Sequence, residues 1–428
     1  MRRITSLTGL FLVAAVAAGG CRTPEIRLRP PSPVAEQPPP APPAVAAATN
    51  IEPDYKTLPL VQPGSDAGEV RPPGRGIGEA EVARVAAGRA LKANLLVAES
   101  GVPRAVVTGP DGVPLSKAGD DSLLRDVREL VAAEARNRAA SEALVSFYQL
   151  ADAEGRGDLL RQSVILLDQL KAAVRDAKAK GAKVPVEPEE LDRQRAGLLG
   201  LLGQADLGAK LLDVDLKRRL GLPGTSADRL LPSGDFGISV PIPDAAAAVA
   251  QALERRADLV ALRTVYLRLT PDTLPTVRDY VRTLPGLAGL VGVGPPQLPL
   301  VRRAAERRLA PSVAALDALL GAEIEARRRQ LWAVIEEKER GAADEVRAAA
   351  AAVAEQARQV GLARWRAEQL MDKAADEKKQ ARGPILERLA EIESLRGRAD
   401  VIAAVMQWHQ ARVRLTTATG GYSAVGPP

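Results

Sequence analysis

Apolar residues recur at three- and four-residue steps along most of this chain, and each run stops at glycine or proline. Residues 78 to 99 carry Val82, Val85, Ala86, Leu91, Leu95 and Leu96 at that spacing, which predicts a helix. Pro103, Pro110, Gly112 and Pro114 break residues 101 to 119, where Pro110, Asp111 and Gly112 suit a short hairpin. Asp120 to Lys180 then reads as continuous helix, roughly 90 Å long at 1.5 Å per residue. Its apolar stripe is narrow: Leu160, Val164, Leu167, Leu170, Val174 and Ala177 form the seam expected of a coiled coil. Gly155 and Gly157 mark a kink or a close helix crossing. Gly181 ends the run, and Pro185 and Pro188 forbid its continuation. Glu189 to Leu220 returns as a second helix through Leu191, Leu198, Leu202, Leu212 and Leu216.

After a Gly/Pro connector holding Pro223, Pro232, Pro241 and Pro243, the same order recurs. Ala245 to Leu269 predicts a helix and 270 to 299 is broken by prolines. A long helix is expected from Leu300 to Arg382, bent at Pro311, then a break at Gly383 and Pro384, and a return from Ile385 to Thr419. Short helix, broken segment, long helix, turn and return helix therefore occur twice. The predicted class is all-α: two tandem repeats of long antiparallel helical hairpins with little or no β-barrel, the repeats spanning 76–221 and 244–421 around a 222–243 connector. Residues 422–428 read as a disordered tail.

The first 75 residues do not fit this scheme. Arg2 and Arg3 precede an apolar run from Leu7 to Ala18, then Gly19, Gly20 and Cys21. This has the layout of an export signal over 1–20, and it falls short of the ~20 residues of a spanning helix. Cys21 is the chain's one cysteine, so its position reads as the lipid-attachment site of a bacterial lipoprotein; the plainer reading is a secretory signal with an incidental cysteine. No internal disulfide can form. Residues 21–75 then form a tether rich in proline, Pro30 to Pro43 above all, which favours extended conformations.

Alanine and leucine dominate and aromatics are only 3%, too few for the girdles of a membrane β-barrel. Net charge is +6, with both signs interspersed on most helices, so a nucleic-acid surface is a weak reading. Catalytic candidates are scarce. The single histidine, His409, leaves no imidazole cluster for a metal and reads as a surface or seam residue beside Trp408. Glu336, Glu337 and Glu339 read as a solvated face with Arg327, Arg328 and Arg329. Trp332, Trp365 and Trp408 read as packing anchors. No phosphate loop is present, no cofactor is expected, and an enzyme is the least supported class.

Three stretches carry a family resemblance. Leu220, Gly221, Leu222 and Pro223, followed by the connector and then Arg255, Arg256, Ala257, Asp258 and Leu259, resemble the mid-chain signature of the TolC-like outer-membrane efflux proteins, with Ala257 in place of the usual proline. Ala143 to Leu150 is similar to part of that family's first long helix, and Ala411 to Leu415 with Thr419 and Gly420 to its closing motif. The resemblance covers about 76–421. It implies a homotrimer, each chain giving two hairpins to a hollow helical barrel, whose hairpin tips meet a periplasmic adaptor. Those tips fall at Lys180, Gly181, Lys183 and Pro185, and at Arg382, Gly383 and Pro384. Lys178, Lys180 and Lys183, with Lys378, Lys379 and Arg382, would then form a positive rim; cations at helix C-termini have the same pattern. The family's membrane strands would lie within 101–119 and 270–299, where Arg104–Thr108, Val113–Ser116 and the glycine-rich 287–293 are too short or interrupted for spanning strands. Two functions follow: a lipid-anchored outer-membrane conduit of a tripartite efflux system, or a pore-less periplasmic coiled-coil scaffold derived from it.

Overall fold

The computed structural model describes residues 74–100, 118–224, 228–234, 236–238, 243–283, 313–379 and 383–423. Cys21, the tether up to residue 73, the predicted hairpin at Pro110, the candidate strand segments in 101–117 and 287–293, and Arg382 lie outside the described residues, while Gly74 and Arg75, expected to end the tether, belong to a strand. The elements are β1 (Gly74–Ile77), α1 (Glu79–Gly88), α2 (Leu91–Ser100), α3 (Ala118–Ala179), α4 (Pro188–Arg219), β2 (Arg229–Pro232), α5 (Ala245–Arg255), α6 (Ala257–Leu267), α7 (Leu274–Thr283), α8 (Val313–Lys379) and α9 (Pro384–Ala418). The class is all-α, built of long helical hairpins, as the apolar periodicity predicts. Among the described helices none is long and apolar enough to cross a membrane.

The helix ends follow from local chemistry. Pro188 and Pro384 open α4 and α9, where a missing backbone donor costs nothing. Glu189 and Glu190 sit in the first turn of α4 and Lys217, Arg218 and Arg219 in its last, complementing the helix dipole. Three helices end on a left-handed glycine: Gly181, Gly221 and Gly420, with φ of 75°, 65° and 73°. Each makes the paired bonds of a Schellman motif. For α4 these are Leu222 N to Lys217 O at 2.8 Å and Gly221 N to Arg218 O at 3.1 Å.

The four long helices form a row in the order α4, α3, α9, α8. The main core runs along this row near its centre, with Phe147, Tyr148, Leu150, Val405, Trp408 and Val413 among its members. A second core gathers Leu123, Val127, Leu262, Val265, Leu331 and Ile335, because α6 packs between α3 and α8. A third lies toward the hairpin turns, where Leu167, Leu170, Val174, Leu191 and Ile392 are buried together.

Several expectations change. The helix predicted over 78–99 is two, broken at Arg89 and Ala90, and that over 245–269 is two, broken at Arg256. Within 270–299, residues 274–283 are helical and pack on α3. The connector contains β2, which pairs in parallel with β1 in the register Gly74 to Arg229. Buried Asp213 fixes this strand by accepting from Leu230 N at 2.9 Å while paired with Lys217 at 2.7 Å. Gly155 marks a close crossing, since an added Cβ would lie 3.2 Å from Ile402. His409 takes the seam reading and is buried between α3 and α9, and of the three tryptophans Trp408 is buried, Trp332 is half exposed but meets Tyr266 at 5.7 Å, and Trp365 is exposed.

Candidate functional site

Lys180, Gly181, Lys183 and Pro185 lie together and exposed in the turn between α3 and α4. The same turn sends Val184 and Val186 inward onto the third core, which fixes its path. Gly383, with φ 112°, and Pro384 begin α9. Across each turn a lysine faces a glutamate: Lys178 pairs with Glu187, and Lys378 with Glu387 at 4.0 Å, both partners 200 positions later in the second hairpin. The expected positive rim is therefore partly neutralised by its own hairpins. Further along, Lys171 pairs with Asp192, Asp168 with Arg195 at 2.7 Å and Arg161 with Asp206 at 2.5 Å. In the second hairpin Lys373 pairs with Glu393 at 2.7 Å. The Lys171 hydrogen bond holds Asp192 below the ordinary carboxylate range, and the Glu393 bond raises Lys373.

At the other end of α4 and α9 the signature residues come together. An added Cβ on Gly221 would lie 3.3 Å from Arg89 Cδ, at the α1–α2 break. On Gly420 it would lie 3.3 Å from Arg255 O and 3.4 Å from Arg256 Cα, at the α5–α6 break. Each return helix thus ends against the break of its own repeat's short helices. Leu220 and Leu259 are buried there. The Arg256 guanidinium forks onto Asp258 at 3.1 and 3.0 Å and reaches Glu345 at 2.5 Å, tying α6 to α8. Burial opposes both charges, but their mutual bonds prevail: Arg256 is raised and Asp258 lowered. Burial, reinforced by Asp258, pushes the Tyr280 hydroxyl up to about 12.

Between the two ends sits an aromatic collar. Tyr148 of α3 stacks on His409 of α9 with centroids 4.7 Å apart, and Phe236 and Trp408 meet the imidazole edge-on. The His409 Nε2 lies 3.2 Å from Phe236 O. Arg412 spans the site, pairing with Glu79 at 2.5 Å and lying 5.6 Å over the Trp408 ring. Buried Asn137 donates to Thr417 O at 3.0 Å and accepts from Tyr422 N at 3.2 Å, locking the end of α9 to α3. Burial, then Glu79, pushes the Tyr422 hydroxyl up to about 12. The scarcity of aromatics was the available signal: Phe147, Tyr148, Trp408 and His409 gather with Phe236 in one place.

The row has two free edges. On α4, Leu207, Leu211 and Val214 are exposed, and no side chain is buried between Leu191 and Ala209. On α8, Leu362 and Trp365 are exposed, the latter by 59%.

No protein-family model matches the sequence, and no curated protein matches it. The structure is similar to the open-state outer-membrane channel MtrE of Neisseria gonorrhoeae, with TM-score 0.55 and 12% identity over 82% of this chain and 90% of that one. It is similar to the outer-membrane channel CmeC of Campylobacter jejuni, with TM-score 0.53 and 11% identity over 80% and 85%. For the outer-membrane channel OprN the TM-score is 0.50, with 14% identity over 71% of each chain. Two repeats of short paired helices and long hairpins, closed by the same glycine turns, give this chain the fold of the TolC-like outer-membrane efflux proteins.

Proposed function

We propose that the protein is a subunit of an outer-membrane export conduit, a passive duct formed by three copies, anchored through lipid on Cys21 and docked to a periplasmic adaptor by the turns at Lys180–Pro185 and Arg382–Pro384. The observation that carries the reading is the open row of four helices. Its inner helices, α3 and α9, are covered on two sides, while α4 and α8 keep apolar side chains exposed on their outer edges. Rows of this kind complete their burial by joining end to end, and a closed ring of helices encloses a lumen. No chemistry is asked of the chain; its work is to hold a path open and to present two turns to a partner.

Planar bilayers test the duct directly. Purified protein should give discrete conductance steps, and a trimer that forms but never conducts would refute it. That outcome would favour the pore-less scaffold, for which α7 is the supporting observation: residues 274–283 form a helix on α3 in a region where the family places strand sequence. A Cys21→Ser variant should leave the membrane fraction; retention there would count against lipid as the main attachment.

A further inference from the structure

We infer that His409 is an acid-sensitive latch: its neutral imidazole fastens the connector to the row of long helices, and its protonation below about pH 6 loosens that segment. The inference stands on the fold alone and does not depend on the conduit reading.

The connector lies on the row through β2 and residues 236–238, and buried polar side chains hold it from three helices. Glu154 of α3, only 4% exposed, pairs with Arg229. Asp213 of α4 accepts from Leu230 N at 2.9 Å. On α9, His409 Nε2 meets the Phe236 carbonyl at 3.2 Å. A carbonyl only accepts, so Nε2 carries a hydrogen, and a second proton goes to Nδ1, which is buried as well. Of these residue types histidine alone ordinarily changes its charge between about pH 5 and 8.

The collar has no place for that charge. His409 is 3% exposed, with Tyr148 over one ring face and Phe236 and Trp408 at its sides. The charged and titratable groups around the stack are Tyr148 of α3, Arg412 of α9, Glu79 of α1 and Tyr422 beyond α9. Arg412 pairs with Glu79 at 2.5 Å, and the same carboxylate takes the Tyr148 hydroxyl. Burial, then Glu79, pushes both tyrosine hydroxyls up, so both stay neutral. One guanidinium and one carboxylate already balance, and an imidazolium would be a third, uncompensated charge. Burial disfavours the charged form of a histidine. The strain is relieved when the ring reaches water. The main core holds α3 and α9 together along their length, whereas Phe236 is only partly buried, so the connector is the cover that gives way.

The single histidine makes the test direct, because a full chain labelled with carbon-13 histidine gives one ring signal. That signal should hold its neutral position through the free-histidine value near 6.5 and move only at lower pH. Opening gains up to about tenfold per pH unit below the value of the exposed ring. Hydrogen exchange of peptides covering 229–238, corrected for its intrinsic pH dependence, should therefore quicken at least tenfold relative to α3 between about pH 7 and 5. His409→Gln keeps a donor for the Phe236 carbonyl and cannot be protonated, so it should abolish that acceleration. A ring signal that titrates near 6.5, exchange at 229–238 that ignores pH, or the same acceleration in His409→Gln would each overturn the latch. The first two measurements use the unaltered chain and decide the matter even where the variant fails to fold.

Discussion

Replacing the three left-handed glycines by alanine separates backbone cost from crowding. Gly181, Gly221 and Gly420 share nearly the same φ, so Ala at each meets the same penalty for left-handed backbone, about 1–2 kcal/mol. They differ in what an added Cβ meets. At Gly181 nothing lies within 4 Å, so Gly181→Ala should cost that amount alone. At Gly221 the neighbours are Arg89 Cδ and Cγ, at 3.3 and 3.5 Å, and a long side chain swings aside for a few tenths of a kcal/mol. At Gly420 the neighbours are backbone, Arg255 O and Arg256 Cα, held by the α5–α6 break and by the fork of Arg256 on Asp258. Moving them strains that fork, and Gly420→Ala should cost about 2–4 kcal/mol, within the range of strained and overpacked sites. Thermal unfolding of the full chain in detergent, followed by circular dichroism, reads the order: Gly420→Ala lowest in Tm, then Gly221→Ala, then Gly181→Ala. Equal losses at Gly181 and Gly420 would refute the idea that the closing glycine is needed for its contact with the short-helix break.

Arg256→Met should destabilise the fold by about 3 kcal/mol, because it strands the half-buried Asp258 carboxylate; chemical denaturation checks this, and Asp258→Asn in the same background should recover part of the loss. Asp258 also sets a pH dependence. Its folded value lies below the unfolded one, so its contribution is complete above the unfolded carboxylate value near 4 and is lost as pH falls through the folded value. Asp258→Asn should therefore flatten the acid limb of a stability–pH curve, and an unchanged limb would contradict the assignment. Trp408→Ala should cost the monomeric chain about 3–5 kcal/mol of folding stability, while Trp365→Ala should change it by no more than about 0.5, since within one chain the first is buried and the second exposed.

The long helices were legible because their signals are local. Gly181 and the prolines at 185 and 188 mark the first turn, Gly383 and Pro384 the second, and the structure ends and restarts its helices there. The breaks at Arg89 and Arg256 were not legible, because arginine is a good helix former and the causes are tertiary: a glycine turn arriving from a distant helix and a carboxylate on α8. β1 and β2 are four residues each and lack a clean apolar alternation, so the connector gave no strand signal. Trp365 and Trp408 look alike in sequence; only the order of the row makes one an edge residue and the other core.

That order also explains why the two return helices differ so much in composition although they end on the same glycine turn. Both lie beside a long helix, but α9 has a second neighbour inside the chain and α4 does not. A helix buried on two sides must fill both with side chains, and α9 does so with Val405, Met406, Trp408, His409 and Val413. A single-sided helix needs one stripe, and α4 keeps Leu191, Ala209, Asp213, Leu216 and Lys217 there, holding the rest through Arg161–Asp206, Asp168–Arg195 and Lys171–Asp192. Exposed ion pairs contribute at most about 1 kcal/mol each, too little to explain leucines at 207 and 211 on the opposite face. Those leucines are costly in a helix that stays solvated and favourable in one that is covered. Their presence on α4, where the repeat leaves a neighbour missing, is what the proposed joining of rows between copies would account for.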